Sequence, residues 1–362
     1  MPLNHFVTLG RSGLRVSPLC LGAMTFGEDW GFGSSVGESR AVIDRYLGLG
    51  GNFIDTANVY TKGHSEAILG DFFAKRRGSR DRVVLATKFF GTLYPGDPNA
   101  GGANAKSVRA ACEQSLRRLR TDYIDLYWLH CWDALTPIEE TLRAVDDLVR
   151  AGKVRYLGFS DTPAWKCSQA QTLAAWRGWT PLAAIQVEYS LLERTVEGEL
   201  LPMARELGLG VTPWSPLKYG VLSGKFTRAN RGKPGLSRRG AWVESALTDK
   251  AFDVIDALGK VASDLGVSSA RAALAWVQAQ PGVSSSIIGA RTVKHLEDNA
   301  RALEVRLKPR HLEALGAASK PALDFPAAFI EASGAFSSGG CTVNGRTYPV
   351  LPMQPASDKE RW

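Results

Sequence analysis

Four side chains with complementary chemistry end or follow successive apolar segments in the first half of the sequence. Asp55 lies near the end of NFIDT, Tyr60 follows in TANVY, Lys88 ends RVVLATK and His130 follows YIDLYWL. Taken singly, each is explained as well by helix capping, packing or surface exposure. A carboxylate, a phenol, an amine and an imidazole at successive segment ends are harder to explain in that way. The set therefore predicts a site for proton transfer.

These groups form a coherent acid and base set. A free phenol with a pKa of about 10 is a weak acid at neutral pH, and a nearby ammonium lowers that pKa by favouring phenolate. We therefore predict that Lys88 lowers the pKa of Tyr60 and that Asp55 keeps Lys88 charged. His130 would donate a hydrogen bond to a carbonyl oxygen. The set protonates an alkoxide as it forms, and a nicotinamide has to supply the hydride because the set contains no reductant.

The segments that position these groups alternate between short apolar runs and longer amphipathic stretches. The apolar runs cover residues 17–24, 52–56, 82–88, 123–129, 154–160, 183–188, 209–215 and 285–289. Strands that are apolar on both faces are typical of parallel sheets covered by helices, so eight such units predict an α/β protein with a (β/α)8 TIM barrel. A doubly wound open sheet is the alternative, although GFGSSVG at 31–37 has the wrong spacing for a Rossmann fingerprint.

Other segments extend this barrel. We predict an N-terminal β-hairpin and long Gly/Pro-rich loops after the third and seventh strands, at 89–104 and 217–242, where barrel enzymes build their sites. Residues 1–325 are predicted to form the barrel domain. Residues 326–362 are rich in Pro, Gly and Ser and are predicted to form a C-terminal extension packed on the barrel.

Composition narrows the protein class. The 362 residues are 44% hydrophobic, and no apolar run reaches the roughly 18 residues of a membrane-spanning helix, so we expect a cytoplasmic protein with no membrane partner. The net charge is +8, but lysines and arginines are spread along the chain, which argues against a nucleic-acid partner. The five cysteines lack C-x-x-C spacing, so we expect reduced thiols and no metal site.

FIDTANVY, ATK and DLYWLH resemble the signatures of the aldo-keto reductase superfamily, and the similarity runs from about Leu14 to about Leu303 in the family's order. The chain resembles bacterial-type members, closer to the branch that contains the voltage-gated potassium channel β subunits than to aldose reductase. The resemblance implies NADPH-dependent reduction of an aldehyde or ketone, a small-molecule carbonyl substrate. It also implies that Tyr60 is the general acid, Lys88 and Asp55 tune it, and His130 orients the carbonyl.

The same resemblance implies a cofactor site in the second half of the chain. Ser160, Asp161 and Gln186 resemble the residues that bind the nicotinamide carboxamide, and Trp214 resembles the residue that stacks on the ring. Asp161 stands where Asn is more usual and, when ionised, can only accept hydrogen bonds. The other positions that resemble cofactor contacts are Gly22, Met24, Ser215, Pro216, Leu217, Lys225, Gly289, Arg291, His295, Asp298 and Asn299.

The adenosine end of this implied site departs from the family's usual residues. Arg291 is the candidate for the 2′-phosphate, because a guanidinium matches phosphate oxygens. His295 stands where Gln or Arg is common, and its smaller ring would weaken 2′-phosphate binding. Without the resemblance, both residues would be read as exposed helix positions.

Two other functions remain open. One is a regulatory or binding protein that senses nucleotide on the same fold with little turnover. The other is a barrel hydrolase or isomerase, for which the sequence has neither a metal-ligand cluster nor a G-x-S-x-G motif. Aromatic residues either line a wall for a bulky carbonyl or pack under loops, namely Phe26, Trp30, Phe89, Tyr94 and Trp132.

Overall fold

The protein forms a parallel β-barrel surrounded by helices. A computed structural model describes residues 2–76, 78–233 and 240–362. A two-stranded hairpin, β1 (Val7–Thr8) and β2 (Arg15–Val16), precedes the barrel. The barrel strands are β3 (Leu19–Gly22), β4 (Phe53–Asp55), β5 (Val84–Phe89), β6 (Ile124–Leu129), β7 (Val154–Ser160), β8 (Leu182–Glu188), β9 (Gly210–Trp214) and β10 (Ser286–Gly289).

The order of hydrogen-bonded strands confirms the predicted TIM barrel. Strands β3 to β9 pair in parallel in chain order, and β10 pairs with β3, Ser286 lying opposite Leu19. Val211 of β9 forms a parallel bridge with Val283, just before β10, and closes the ring. The alternative of an open doubly wound sheet is therefore wrong. Each predicted apolar run matches one barrel strand to within two residues at each end.

Helices cover the outside of the barrel. They are α1 (Val36–Gly48), α2 (His64–Ala74), α3 (Ala105–Leu119), α4 (Ile138–Arg150), α5 (Ala164–Arg177), α6 (Leu200–Glu206), α7 (Ala241–Glu244), α8 (Asp249–Leu265), α9 (Ser269–Gln278), α10 (Val293–Ala300) and α11 (Pro309–Ala318), whereas α12 (Ala327–Ser338) belongs to the C-terminal region. Their apolar sides pack against the outward side chains of the strands, which explains why the strands read as continuous apolar runs.

The barrel interior is closed at the amino ends of the strands. Leu9 and Val16 of the hairpin region pack with inward side chains of the strands, including Phe53 and Trp128. Gly158 of β7 gives Trp128 its space, since a Cβ at that position would lie 2.3 Å from the indole. The amino end of the barrel interior is thus filled with apolar side chains, and the polar side chains lie at the carboxyl end.

The long loops lie where the sequence predicts them. Residues 90–104 connect β5 to α3, and the connection after β9 reaches α7 through two short 3-10 turns. The predicted loop at 217–242 includes residues 234–239, which lie outside the described residues.

The C-terminal region contains α12 and a second hairpin, β11 (Thr342–Val343) with β12 (Arg346–Thr347). The division into a barrel of residues 1–325 and a packed extension of residues 326–362 stays a prediction. Among the described residues, no helix is both long and apolar enough to cross a membrane.

Candidate active site

A cavity of about 920 Å³ opens at the carboxyl ends of the barrel strands. Strand ends from both halves of the chain contribute to its walls. Of the predicted site residues, those that line it are Gly22, Met24, Asp55, Tyr60, His130, Ser160, Asp161, Gln186, Trp214, Ser215, Pro216, Leu217, Lys225, Gly289, Arg291, His295 and Asn299. The structure therefore brings together residues that are far apart in the sequence.

The four predicted catalytic residues meet at one side of this cavity. Lys88, on β5, is completely buried; its ammonium forms an ion pair with Asp55 Oδ2 and donates to the phenolic oxygen of Tyr60 at 3.2 Å. It also donates to the backbone oxygen of Thr56 at 2.8 Å. The rings of Tyr60 and His130 meet edge to face, with centroids 5.6 Å apart. The phenol and the imidazole thus face the same space.

Two opposing effects set the acidity of Tyr60. Lys88 lowers the pKa of the phenol, as predicted, but burial raises that pKa by more, so that it lies above its usual value. Burial prevails because a buried phenolate loses its hydration. Tyr60 consequently keeps its proton at neutral pH, which is the form that a general acid requires.

Asp55 and Lys88 maintain each other's charge. Burial alone would lower the pKa of Lys88, but the Asp55 carboxylate and the Tyr60 phenol outweigh it and raise that pKa above its usual value. Gln186 on β8 supports the carboxylate, since its side-chain amide donates to Asp55 Oδ1 at 3.1 Å. Lys88 is therefore a permanent cation behind the phenol.

His130 is a neutral imidazole. Burial, followed by the charge of Lys88, lowers its pKa to about 3. Below about pH 6.5 the imidazole is protonated in the unfolded chain but not in the folded protein. The free energy of unfolding therefore decreases as the pH falls from about 6.5 toward 3. A neutral ring has one N–H and can donate a single hydrogen bond.

We expect NMR spectra of the ring carbons of His130 to show no titration above about pH 5, because the folded-state pKa is so low. The His130→Gln protein identifies the signal by its absence. A midpoint between pH 6 and 7 would contradict a neutral imidazole in this site.

The strand ends of β7 and β9 form the opposite wall. Ser160 Oγ is buried, lines the cavity and has no hydrogen-bond partner among the described residues. The indole N–H of Trp214 donates to Asp161 Oδ1 at 2.9 Å, which fixes the orientation of the indole. Asp161 lies at the open mouth of the cavity and is exposed to solvent. The protein atoms around its carboxyl group still remove part of its hydration, which raises its pKa to about 6. Its backbone is left-handed, with φ of 43°, a conformation that Asp and Asn tolerate.

The far end of the cavity is electropositive. Arg291, His295 and Lys225 line it, and partial burial followed by the charge of Arg291 lowers the pKa of His295. Asn299 also lines the cavity and donates to the backbone oxygen of Gly289 at 3.2 Å. Asp298 does not line the cavity, because its carboxylate is turned toward Arg271, whose Nε donates to it at 2.8 Å.

Aromatic residues form the outer rim, and the sequence identified only part of this set. Of the predicted aromatic wall, Trp30 lines the cavity, whereas Phe26 and Phe89 are completely buried in the core. Phe32 and Tyr219 were missed, although Phe32 follows Trp30 closely and Tyr219 lies in the predicted long loop. Other lining residues that sequence reasoning missed are Thr25, Val59, Gly220, Ser223, Trp242, Ser245, Leu274, Ile287 and Ile288.

Comparison with known proteins decides the family. The sequence model described as "Aldo/keto reductase family" matches residues 18–320, which spans the whole barrel. This chain belongs to the aldo/keto reductase family. The result confirms the resemblance to the family, though not to a particular branch of it, and makes the protein an oxidoreductase.

Individual aldo/keto reductase relatives match along most of their length. YrpG of Bacillus subtilis, an uncharacterized oxidoreductase, is 40% identical over 86% of this chain and 94% of its own. The aryl-alcohol dehydrogenase [NADP(+)] of Phanerodontia chrysosporium is 36% identical over 84% and 82%. Norsolorinic acid reductase B of Aspergillus parasiticus is 38% identical over 88% and 85%.

The nicotinamide cofactor used by aldo/keto reductases fits the residues present. The orphaned hydroxyl of Ser160 faces the cavity, as expected for a group that bonds to a carboxamide. The indole of Trp214 offers a flat face beside it. The electropositive end with Arg291 and Lys225 suits phosphate groups. Among the described residues, no cluster of metal-binding side chains offers a competing cofactor.

Proposed function

We propose that this protein reduces an aldehyde or ketone to the alcohol with NADPH and that Tyr60 is the general acid. The observation that carries the proposal is the contact of 3.2 Å between the buried Lys88 ammonium and the Tyr60 phenol, at a cavity that the imidazole of His130 also faces. A protonated phenol backed by a fixed cation is the arrangement that carbonyl reduction needs.

Each residue has one task in this reaction. Ser160 and Trp214 would hold a nicotinamide, which would supply the hydride for the carbonyl carbon. Tyr60 transfers its proton to the carbonyl oxygen, so that the C=O bond becomes CH–OH. Lys88 stabilises the phenolate left behind, and Asp55 holds Lys88 charged and in place. The neutral His130 donates its N–H to the carbonyl oxygen and fixes its direction.

We propose NADPH in preference to NADH because of the charges at the far end of the cavity. The pKa of His295 is lowered by burial and by Arg291, and Lys294 and Lys225 act in the same direction. Asp298 opposes them, but of these charged groups only Arg291 and Lys225 line the cavity among the described residues, and they would stabilise a 2′-phosphate dianion there. The relative named aryl-alcohol dehydrogenase [NADP(+)] agrees with this choice.

We propose an aromatic carbonyl as the substrate class. The ring centroid of Trp30 lies 6.2 Å from that of Tyr60 and 6.0 Å from that of Phe32. The ring centroids of Tyr219 and Trp242, which also line the cavity, are 5.9 Å apart. Flat apolar walls favour flat substrates, since aromatic rings gain from stacked and edge contacts. The names of two relatives, an aryl-alcohol dehydrogenase and norsolorinic acid reductase B, point in the same direction.

The test is to follow NADPH loss with purified protein and a panel of aromatic, aliphatic and dicarbonyl compounds. We expect turnover with several carbonyls and the highest kcat/KM for aromatic aldehydes or ketones. Tight NADPH binding without loss of NADPH in any assay would favour the nucleotide sensor. No NADPH binding would remove the cofactor and with it the proposed function.

We expect Arg291→Ala to weaken NADPH binding by about 10–100-fold, because a charged hydrogen bond contributes roughly 1.5–3 kcal/mol. NADH affinity should change less than twofold, since NADH has no 2′-phosphate. Nicotinamide fluorescence titration measures both dissociation constants. Arg177→Ala, on the exposed part of α5, is the matched control. Equal losses for both nucleotides would assign Arg291 to another part of the cofactor.

A further inference from the structure

The backbone directly after Tyr60 adopts an unusual conformation. Thr61 has φ 46° and ψ 43°, Lys62 has φ 59° and ψ 32°, and Gly63 has φ 90°. Three successive residues are thus left-handed, and only the last is a glycine. A β-branched residue such as threonine is strongly disfavoured there, so the surrounding contacts must hold it in place.

The side chain of Thr61 supplies those contacts. It is completely buried, and its hydroxyl donates to the backbone oxygen of Phe26 at 2.8 Å. Thr61 Oγ1 also accepts from the backbone N–H of Ser65 at 3.0 Å, in the first turn of α2. One hydroxyl therefore joins the Tyr60 turn to the loop after β3 and to the start of the helix.

A second buried hydroxyl continues the connection toward Lys88. Ser65 Oγ donates to the backbone oxygen of Ala23 at 2.8 Å and lies 2.8 Å from Thr56 Oγ1. The backbone oxygen of Thr56 in turn accepts from the Lys88 ammonium. These contacts connect the Tyr60 turn to the residue whose backbone oxygen binds Lys88, through Thr61, Ser65 and Thr56.

The loop after β3 is fastened to the same turn at a second point. His64 Nδ1 lies 2.8 Å from Asp29 Oδ2, and Trp30, the next residue, places its ring 6.2 Å from that of Tyr60. Both contacts tie the cavity wall to the segment that carries the phenol. Of the two hydrogen bonds between this loop and the turn, the one from the Thr61 hydroxyl is buried and the one between His64 and Asp29 is exposed.

We propose that Thr61 is a positioning residue that holds the Tyr60 phenol at hydrogen-bond distance from Lys88. It touches neither substrate nor cofactor and acts through the backbone of residues 60–63. This inference rests on the proposed function, in which Tyr60 is the general acid. A displacement of about 1 Å at a catalytic group can reduce the rate by two orders of magnitude, so loss of the hydroxyl should be visible in kcat.

The test compares Thr61→Val, which keeps the shape, with Thr61→Ser, which keeps the hydroxyl. We expect Thr61→Val to lower kcat at least tenfold while the KM for the carbonyl and the Kd of NADPH stay within about twofold. Thr61→Ser should restore most of kcat. Thr141→Val is the matched control, because Thr141 on α4 is also buried and donates to a backbone oxygen, that of Ala103, at 2.9 Å. It should lose stability without losing kcat.

A second variant covers the case in which Thr61→Val does not fold. Thr61→Gly removes the same hydroxyl and adopts the left-handed conformation without strain, and we expect a decrease of kcat in the same direction. A Thr61→Val protein that is less stable but has wild-type kcat would overturn the inference, as would unchanged kcat in Thr61→Gly.

Structure determination separates this inference from the proposed function. In crystals of Thr61→Val we expect the phenolic oxygen of Tyr60 to lie beyond hydrogen-bond distance of Lys88 Nζ. An unchanged contact would overturn the positioning role whatever the activity of the wild-type protein. Failure of the wild-type protein to reduce any carbonyl would instead overturn the proposed function.

Discussion

Tyr60→Phe should lower kcat for carbonyl reduction by about 10²–10⁴-fold, the usual contribution of a positioned general acid. The phenylalanine ring keeps the edge contacts with His130 and Trp30, so the cavity should retain its shape. Lys88 loses one acceptor but keeps Asp55 and the backbone oxygen of Thr56. We therefore expect the Kd of NADPH, measured by fluorescence, to change less than twofold.

The control for this variant is Tyr123→Phe. Tyr123 lies at the amino end of β6, on the far side of the barrel, and its hydroxyl donates to Asp81 Oδ1 at 2.7 Å. Tyr123→Phe also removes a phenolic oxygen, but from a hydrogen bond at the protein surface, so kcat should stay at the wild-type value. A decrease of less than about tenfold in Tyr60→Phe would mean that another group or water delivers the proton.

Lys88→Met should abolish measurable turnover and also destabilise the fold. Lys88 is completely buried and Asp55 nearly so, and removing one partner of a buried ion pair typically costs 3–5 kcal/mol. Burial already raises the pKa of Asp55 against the effect of Lys88, and without the ammonium that pKa rises further. The folded variant then binds a proton that the unfolded chain releases, so its stability decreases as the pH rises. Urea unfolding at pH 5 and pH 8 should show the larger loss at pH 8.

The double variant Asp55→Asn/Lys88→Met separates the two effects. Replacing the carboxylate by a neutral amide removes the unpaired charge, so most of the lost stability should return. Turnover should stay as low as in the single variant, because the cation behind Tyr60 is still missing. A double variant no more stable than Lys88→Met would show that volume, not charge, dominates the loss.

The sequence was sufficient for the barrel because one physical rule governs it. Strands covered on both faces are apolar along their whole length, and every such run proved to coincide with a barrel strand to within two residues. The positions of the polar groups followed from the same rule, since the carboxyl ends of parallel strands meet at one mouth. This is why Asp55, Lys88 and His130 could be placed before any coordinates were known.

The sequence was insufficient where the outcome depends on the balance of opposing effects. The sequence predicted that the charge of Lys88 lowers the pKa of Tyr60. It did not predict the larger, opposite effect of burial on that pKa, because burial follows from the packing of the finished site. Asp298 was assigned to the cofactor from its position alone, whereas its orientation is decided by Arg271 on a different helix. The left-handed turn at Thr61 gave no signal either, because threonine is an unusual residue in that conformation.

The pairing of β10 with β3 also constrains how the protein is made. The strand that completes the ring comes near the end of the barrel sequence, while its partner is the first barrel strand to leave the ribosome. Contacts of such high sequence separation form late, because loop-closure entropy must be overcome first. The nascent chain therefore carries Asp55, Tyr60, Lys88 and His130 before the wall with Trp214 and Arg291 has been made. The cavity between the two halves of the barrel is complete only once the last barrel strand has emerged, so it forms in a single late event.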